Sequence, residues 1–179
     1  KRLCDVAFDT ASRAYPEFQR VGTKSTYGTL PGKDLLDKVI VSSAETDFAK
    51  FVRKIKASDW VLEGHKHYSQ NDEKKCPFCQ QKLPDTFEED IKKCFDEQYQ
   101  QDVSDVLTFQ STYDSEMAAI TQKLRSNLDD VMPSLDMMDD YKSKLELLES
   151  KVSVNSGRLD DKAKEPSKVI ALEDTDSLL

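Results

Sequence analysis

The chain has 179 residues, 37% of them apolar and 34% charged, with a net charge of −8 and only 5 Gly and 6 Pro. That length fits one domain, or one domain plus an extension; the lean apolar fraction suits exposed helices that each bury a stripe, and the scarcity of turn residues excludes an all-β fold. An acidic surface repels phosphate backbones, so direct nucleic-acid binding is not expected, and no apolar run approaches the roughly 18 residues of a membrane span.

In chain order, residues 1–42 read as a mixed lead-in: a helical pattern over 4–15, turn chemistry at Tyr27-Gly28-Thr29-Leu30-Pro31-Gly32, and a short strand at Val39-Ile40-Val41. Residues 43–132 read as a helical hairpin with a knuckle at 71–85. Ser42 and Glu45 have capping-box spacing, and Phe48, Phe51, Val52 and Ile55 follow on one face. A second start lies near Ser58-Asp59, with Trp60, Val61 and Tyr68 as packing residues, and an end near Ser69-Gln70-Asn71. Past Pro84, Thr86 and Glu89 form another capping box. From Ile91 to Val131, apolar residues step at about 3.6 residues, the α-helical period, which predicts one helix of about 45 residues and roughly 65 Å ending at Pro133. Such a helix needs partners for its stripe, and the helices of 43–70 are the expected ones.

Residues 133–179 read as a returning helix and a flexible C-terminal segment. Ser134 is placed to cap a helix with Leu135, Met138, Tyr141, Leu145, Leu148 and Val152 on one face. A loop is expected over 153–168, where Gly157 and Pro166 lie, then a strand or frayed helix from Val169 to Leu172. The fold class expected is therefore mainly α: an antiparallel helical hairpin or coiled coil with one very long helix.

The four cysteines are Cys4, Cys76, Cys79 and Cys94. They are too sparse for a secreted disulfide scaffold and suit a reducing cytoplasm. The start at Lys1-Arg2-Leu3, without Met or signal peptide, suggests a piece of a larger protein.

Cys76-Pro77-Phe78-Cys79 is the one strong chemical motif. Thiolates two residues apart can grip a tetrahedral zinc, and Lys74, Lys75 and Lys82 favour the thiolate. One such pair is half of a four-ligand site. A second copy of the loop, the nearby histidines, or Cys94 could complete it. His65 and His67 project about 200° apart on a helix, so His67 alone is the more plausible ligand. Cys94, beside Phe95 on the packed stripe, reads more readily as a small buried residue. A Cys-Pro-Phe-Cys motif also serves thiol-redox enzymes of the glutaredoxin kind, but those need a strand before the first Cys and a helix opening at it.

No catalytic residue is assigned. Gly22-Thr23-Lys24-Ser25 and Gly32-Lys33 echo a phosphate loop without matching G-x-x-x-x-G-K-[ST]: Tyr27 stands five before Gly32, and Asp34 follows Lys33. Neither H-E-x-x-H nor G-x-S-x-G occurs.

Asp59-Trp60-Val61, Glu63-Gly64, Tyr68, Cys76-Pro77-Phe78-Cys79-Gln80-Gln81-Lys82-Leu83, and Phe95-Asp96-Glu97 with Tyr99 resemble the central insert of bacterial P-loop ATPases of the RloC/PrrC anticodon-nuclease type. The resemblance is clearest over residues 43–130, and Lys164-Glu165-Pro166 resembles the family's returning segment. It implies an ATPase head split by a coiled-coil hairpin whose tip forms a zinc hook with a second copy, and a nuclease that cuts tRNA in antiviral defence or damage response. Only Cys76 and Cys79 carry over; ATP would belong to the larger protein. The functions expected are thus a zinc-hook-like dimerisation module, a zinc-stabilised scaffold within one chain using His67 or Cys94, or a thiol-redox enzyme.

Overall fold

The computed structural model describes residues 16–22, 28–68, 75–76, 79–129 and 138–179. Among them are five α-helices: α1 Asp47–Lys54, α2 Ser58–Tyr68, α3 Phe87–Cys94, α4 Glu97–Arg125 and α5 Met138–Lys164. Short 3-10 turns lie at Lys33–Leu36, Ser126–Leu128 and Asp176–Leu178. The chain is mainly α, as expected. No strand occurs among the described residues, so Val39-Ile40-Val41 does not form the expected strand. The pattern over 4–15, the break at Pro133 and the cap at Ser134 lie outside the described residues. No helix among the described residues is long and apolar enough to cross a membrane.

The chain divides into two compact units. The first comprises Pro31–Gln110 and Arg158–Ala171. Its core gathers Leu35, Ile40, Ala49, Val52, Ile91, Cys94, Phe95, Tyr99 and Val106 from α1, α3, the start of α4 and the lead-in. Thr46, not Ser42, caps α1: its Oγ1 accepts from the Ala49 amide at 3.2 Å. Ser42 turns back on Ala44 instead, and Glu45 pairs with Arg53 at 3.2 Å. Thr86 flanks α3 in helical conformation, but its side chain makes no cap bond.

The expected uninterrupted helix is broken between Cys94 and Glu97. Phe95 leaves the helical region at φ −105 and ψ 68 while its side chain stays buried. Asp96 then caps α4, its Oδ1 accepting from the Tyr99 amide at 2.9 Å. Its other oxygen accepts from the Ser43 hydroxyl at 2.8 Å. The apolar stepping continues through Phe95 and Tyr99, so periodicity alone cannot register the break; the carboxylate three residues before Tyr99 is what marks it.

In the same unit, the segment after α5 runs back along the lead-in. The Ile40 amide donates to Pro166 O at 3.2 Å and the Ile170 amide to Leu36 O at 3.0 Å. The fully buried Lys162 fastens this return, its Nζ donating to Lys38 O at 2.6 Å, Pro166 O at 2.9 Å and Lys168 O at 2.5 Å. Three carbonyls match the three donors of an ammonium. Burial pushes this lysine below its ordinary range, with Asp59 and Asp37 opposing.

The second unit comprises Lys1–Leu30, Ser111–Gly157 and Leu172–Leu179. Within it α4 and α5 run antiparallel: the Ser156 hydroxyl donates to Asp114 at 2.5 Å, and Arg125 pairs with Glu149 at 2.6 Å. The buried Asn155 bonds the Tyr113 hydroxyl at 2.8 Å and clasps the Glu173 backbone through both ends of its amide. The later turns of the long helix thus take α5 as partner, where the helices of 43–70 were expected. The loop expected over 153–168 is also corrected, since α5 continues to Lys164.

Candidate metal-binding knuckle and the cleft beside it

α2 ends at Tyr68 and α3 opens at Phe87, so the Cys-Pro-Phe-Cys motif sits in the connection between them. Pro84 stops any helix from running through it, and the Phe87 amide closes a turn on Pro84 O at 3.0 Å. The connection folds back on itself. Lys75 and Lys82 form an antiparallel bridge. Inside it, the Cys76 amide donates to Gln81 O and the Gln80 amide to Cys76 O, both at 2.8 Å. Gln80 takes φ +58, a left-handed conformation that non-glycine residues seldom adopt. It directly follows Cys79, and the turn it makes holds both cysteines on one closed reversal. Cys76 is half-buried and Cys79 exposed.

The other expected ligands lie elsewhere. Cys94 is fully buried in the core of its unit. Burial pushes its thiol up, against a hydrogen bond with Ser42 and the nearby Arg53. That environment suits a small apolar residue. His67 projects outward with 76% of its side chain exposed, near Glu63 at 3.3 Å. His65 turns the other way, its Nε2 held by Glu88 at 2.9 Å. It is His65, and not His67, that shares a cavity wall with Cys76. Among the described residues, no group of three or more His, Cys, Asp or Glu stands close enough to hold a metal. Among the described residues the knuckle offers two thiols, and two thiolates would fit half of a tetrahedral zinc site.

Beside the knuckle lies a cleft of about 240 Å³. α1, its C-cap Ile55 and α2 supply Phe48, Phe51, Ile55 and Trp60; Cys76, Leu83 and Phe87 also line it. Its floor is an aromatic stack, with Tyr68 edge-on to Phe87 at 5.4 Å and Phe48 edge-on to the same ring at 6.4 Å. Sequence reading took Phe51, Ile55 and Trp60 as packing residues, yet all three are among the large apolar side chains left exposed. The signal was present in α1 and its C-cap, where apolar residues at 48, 49, 51, 52 and 55 cover more than one stripe. Ala49 and Val52 are buried in the core, with Phe48 packed against it, and Phe51 and Ile55 are left at the cleft.

The family model for the AAA domain matches residues 1–179. The chain belongs to the AAA domain family. Membership places it with P-loop ATPase-related proteins and is consistent with part of a larger ATPase-like protein. No curated protein and no solved structure matches it. The phosphate-loop pattern does not occur in these 179 residues, so no nucleotide-binding residue is assigned within this AAA-family chain.

Proposed function

We propose that this chain is a non-catalytic interaction module of a larger ATPase-like protein, joined to a second copy through a zinc ion held by Cys76 and Cys79 of each. One observation supports this reading: Lys75 bridges Lys82, the Cys76 amide donates to Gln81 O, and the Gln80 amide, next to the exposed Cys79, donates to Cys76 O. Two thiolates are half of a closed tetrahedral site, and a second copy supplies the other half. When bound, the zinc would contribute a cross-link and folding energy, with no chemistry of its own. Thiol-redox enzymes of the glutaredoxin kind open a helix at the first cysteine, whereas among the described residues the next helix after Cys76 opens only at Phe87.

The residues that resemble the RloC/PrrC type extend the reading to the larger protein: an ATPase that gates a tRNA anticodon nuclease in antiviral defence, working in the cytoplasm, where thiols stay reduced. ATP binding and RNA cleavage belong to that larger protein.

The test is solution mass by light scattering, with zinc and with chelator, on the parent chain and on a variant carrying Cys76→Ser and Cys79→Ser. The expected result is a dimer with zinc and a monomer in the other conditions. A dimer that survives both substitutions contradicts the proposal. A zinc-loaded monomer that loses its metal on His67→Ala or Cys94→Ala assigns the ion to one chain instead.

A further inference from the structure

We propose that Cys76 and Cys79 also form a disulfide within one chain, so that oxidation opens the zinc clasp and reduction restores it. The inference rests on the preceding reading of the two thiols as zinc ligands, and adds how that site is regulated.

Backbone geometry supports it first. The Gln80 amide donates to Cys76 O at 2.8 Å, which closes the chain between one residue and the fourth after it. Such an α-turn is a single helical turn that does not continue, and one turn advances about 5.4 Å. A disulfide spans about 4.4–6.8 Å between Cα atoms. Cys79 is the third residue after Cys76, inside that closed turn. The bridge between Lys75 and Lys82 and the bond from the Cys76 amide to Gln81 O span the same turn.

Exposure supports it second, because it separates the thiols. Cys79 is exposed and Cys76 half-buried. Cys94 is 0% exposed, and burial pushes its thiol up. Exchange needs a thiolate that the oxidant can reach. Cys79 thus meets a soluble oxidant first, Cys76 resolves the adduct, and Cys94 stays out of the exchange.

The oxidant is a small disulfide of the glutathione class. The Cys79 thiolate attacks one of its sulfurs, forms a mixed disulfide and expels one thiolate. The Cys76 thiolate then attacks the Cys79 sulfur, forms the bond between the two cysteines and expels the second thiolate. Two electrons pass from the cysteine pair to the oxidant, whose two halves leave as thiolates and take up protons from solvent. Zinc is held by thiolates. Neither sulfur remains one, so the ion leaves hydrated and the two copies part.

Glutathione disulfide added to the zinc-loaded 179-residue chain tests this, read by thiol alkylation with peptide mapping, by zinc release to a metal-binding dye, and by light scattering. The expected result is a link between Cys76 and Cys79 of one chain, loss of about half a zinc ion per chain, and conversion of dimer to monomer. Dithiothreitol with fresh zinc should reverse all three. Cys76→Ser, which cannot resolve the mixed disulfide, should stop at a glutathione adduct on Cys79. A zinc-dependent dimer whose thiols stay alkylatable after oxidant, or that gains a link between chains and none within one, overturns this inference and leaves the clasp standing. So does a Cys76→Ser chain whose adduct maps to a residue other than Cys79. A reduced chain that takes up no zinc overturns the clasp and the switch together, whether or not the disulfide forms.

Discussion

Tyr99 shows most plainly how a single residue tests this account. Its ring is buried in the first unit and edge-on to Phe95 at 5.0 Å, yet its hydroxyl makes no hydrogen bond among the described residues. A buried hydroxyl without a partner costs about 1–3 kcal/mol. Burial also pushes the phenol above its ordinary value of 10.0, helped by the nearby Asp59 and Cys94. The folded chain thus holds this proton more tightly than the unfolded chain does. Stability should be level below the ordinary phenol value and fall as pH rises through it, because the unfolded state alone gives up the proton there. Tyr99→Phe should therefore raise the urea midpoint at neutral pH, by up to about 1 kcal/mol in stability. It should also flatten the alkaline decline. A lower midpoint for Tyr99→Phe at pH 7 would show that the hydroxyl is satisfied and stabilising.

At the scale of elements, much of the fold was legible because apolar spacing reports buried faces directly. The starts of α2 at Ser58 and of α3 just after Thr86 are read instead from capping signals, although the Thr86 side chain makes no cap bond. Two elements escaped the apolar signal, for separate reasons. The α3–α4 break was hidden because Phe95 and Tyr99 keep the helical step across it. Asp96→Ala should cost about 1 kcal/mol by removing the α4 cap, a loss measurable by urea denaturation. An unchanged midpoint would mean that the cap bond is not formed in solution.

The second half of α5 was hidden because its buried face turns polar. The sequence Leu145, Leu148, Asn155, Leu159, Lys162 keeps the helical phase, but Asn155 and Lys162 satisfy backbone groups and so look like loop residues to a hydrophobic count. Gly157 added to the loop signal, yet it lies inside α5 with nothing within 4 Å of an added Cβ. Gly157→Ala should accordingly raise stability by about 0.5–1 kcal/mol, seen as a higher thermal midpoint. A lower midpoint would argue that the helix does not continue through residue 157.

For the whole molecule, the motif that carries the proposed function was readable and its surroundings were not. Cys-Pro-Phe-Cys announces a turn and a thiol pair from spacing alone. The cleft beside it needs α1, α2 and the knuckle brought together, and no local pattern encodes that assembly. The choice between the histidines likewise depended on which face of α2 meets the knuckle, and His65 holds that face. The central claim is that the two thiols serve as half of a shared metal site. Elemental analysis of zinc per chain, on material whose mass is measured in the same sample, tests it most directly. Four thiolates per ion predict about half a zinc per chain in a dimer. One zinc per monomeric chain, or a zinc-free chain after loading, would contradict it.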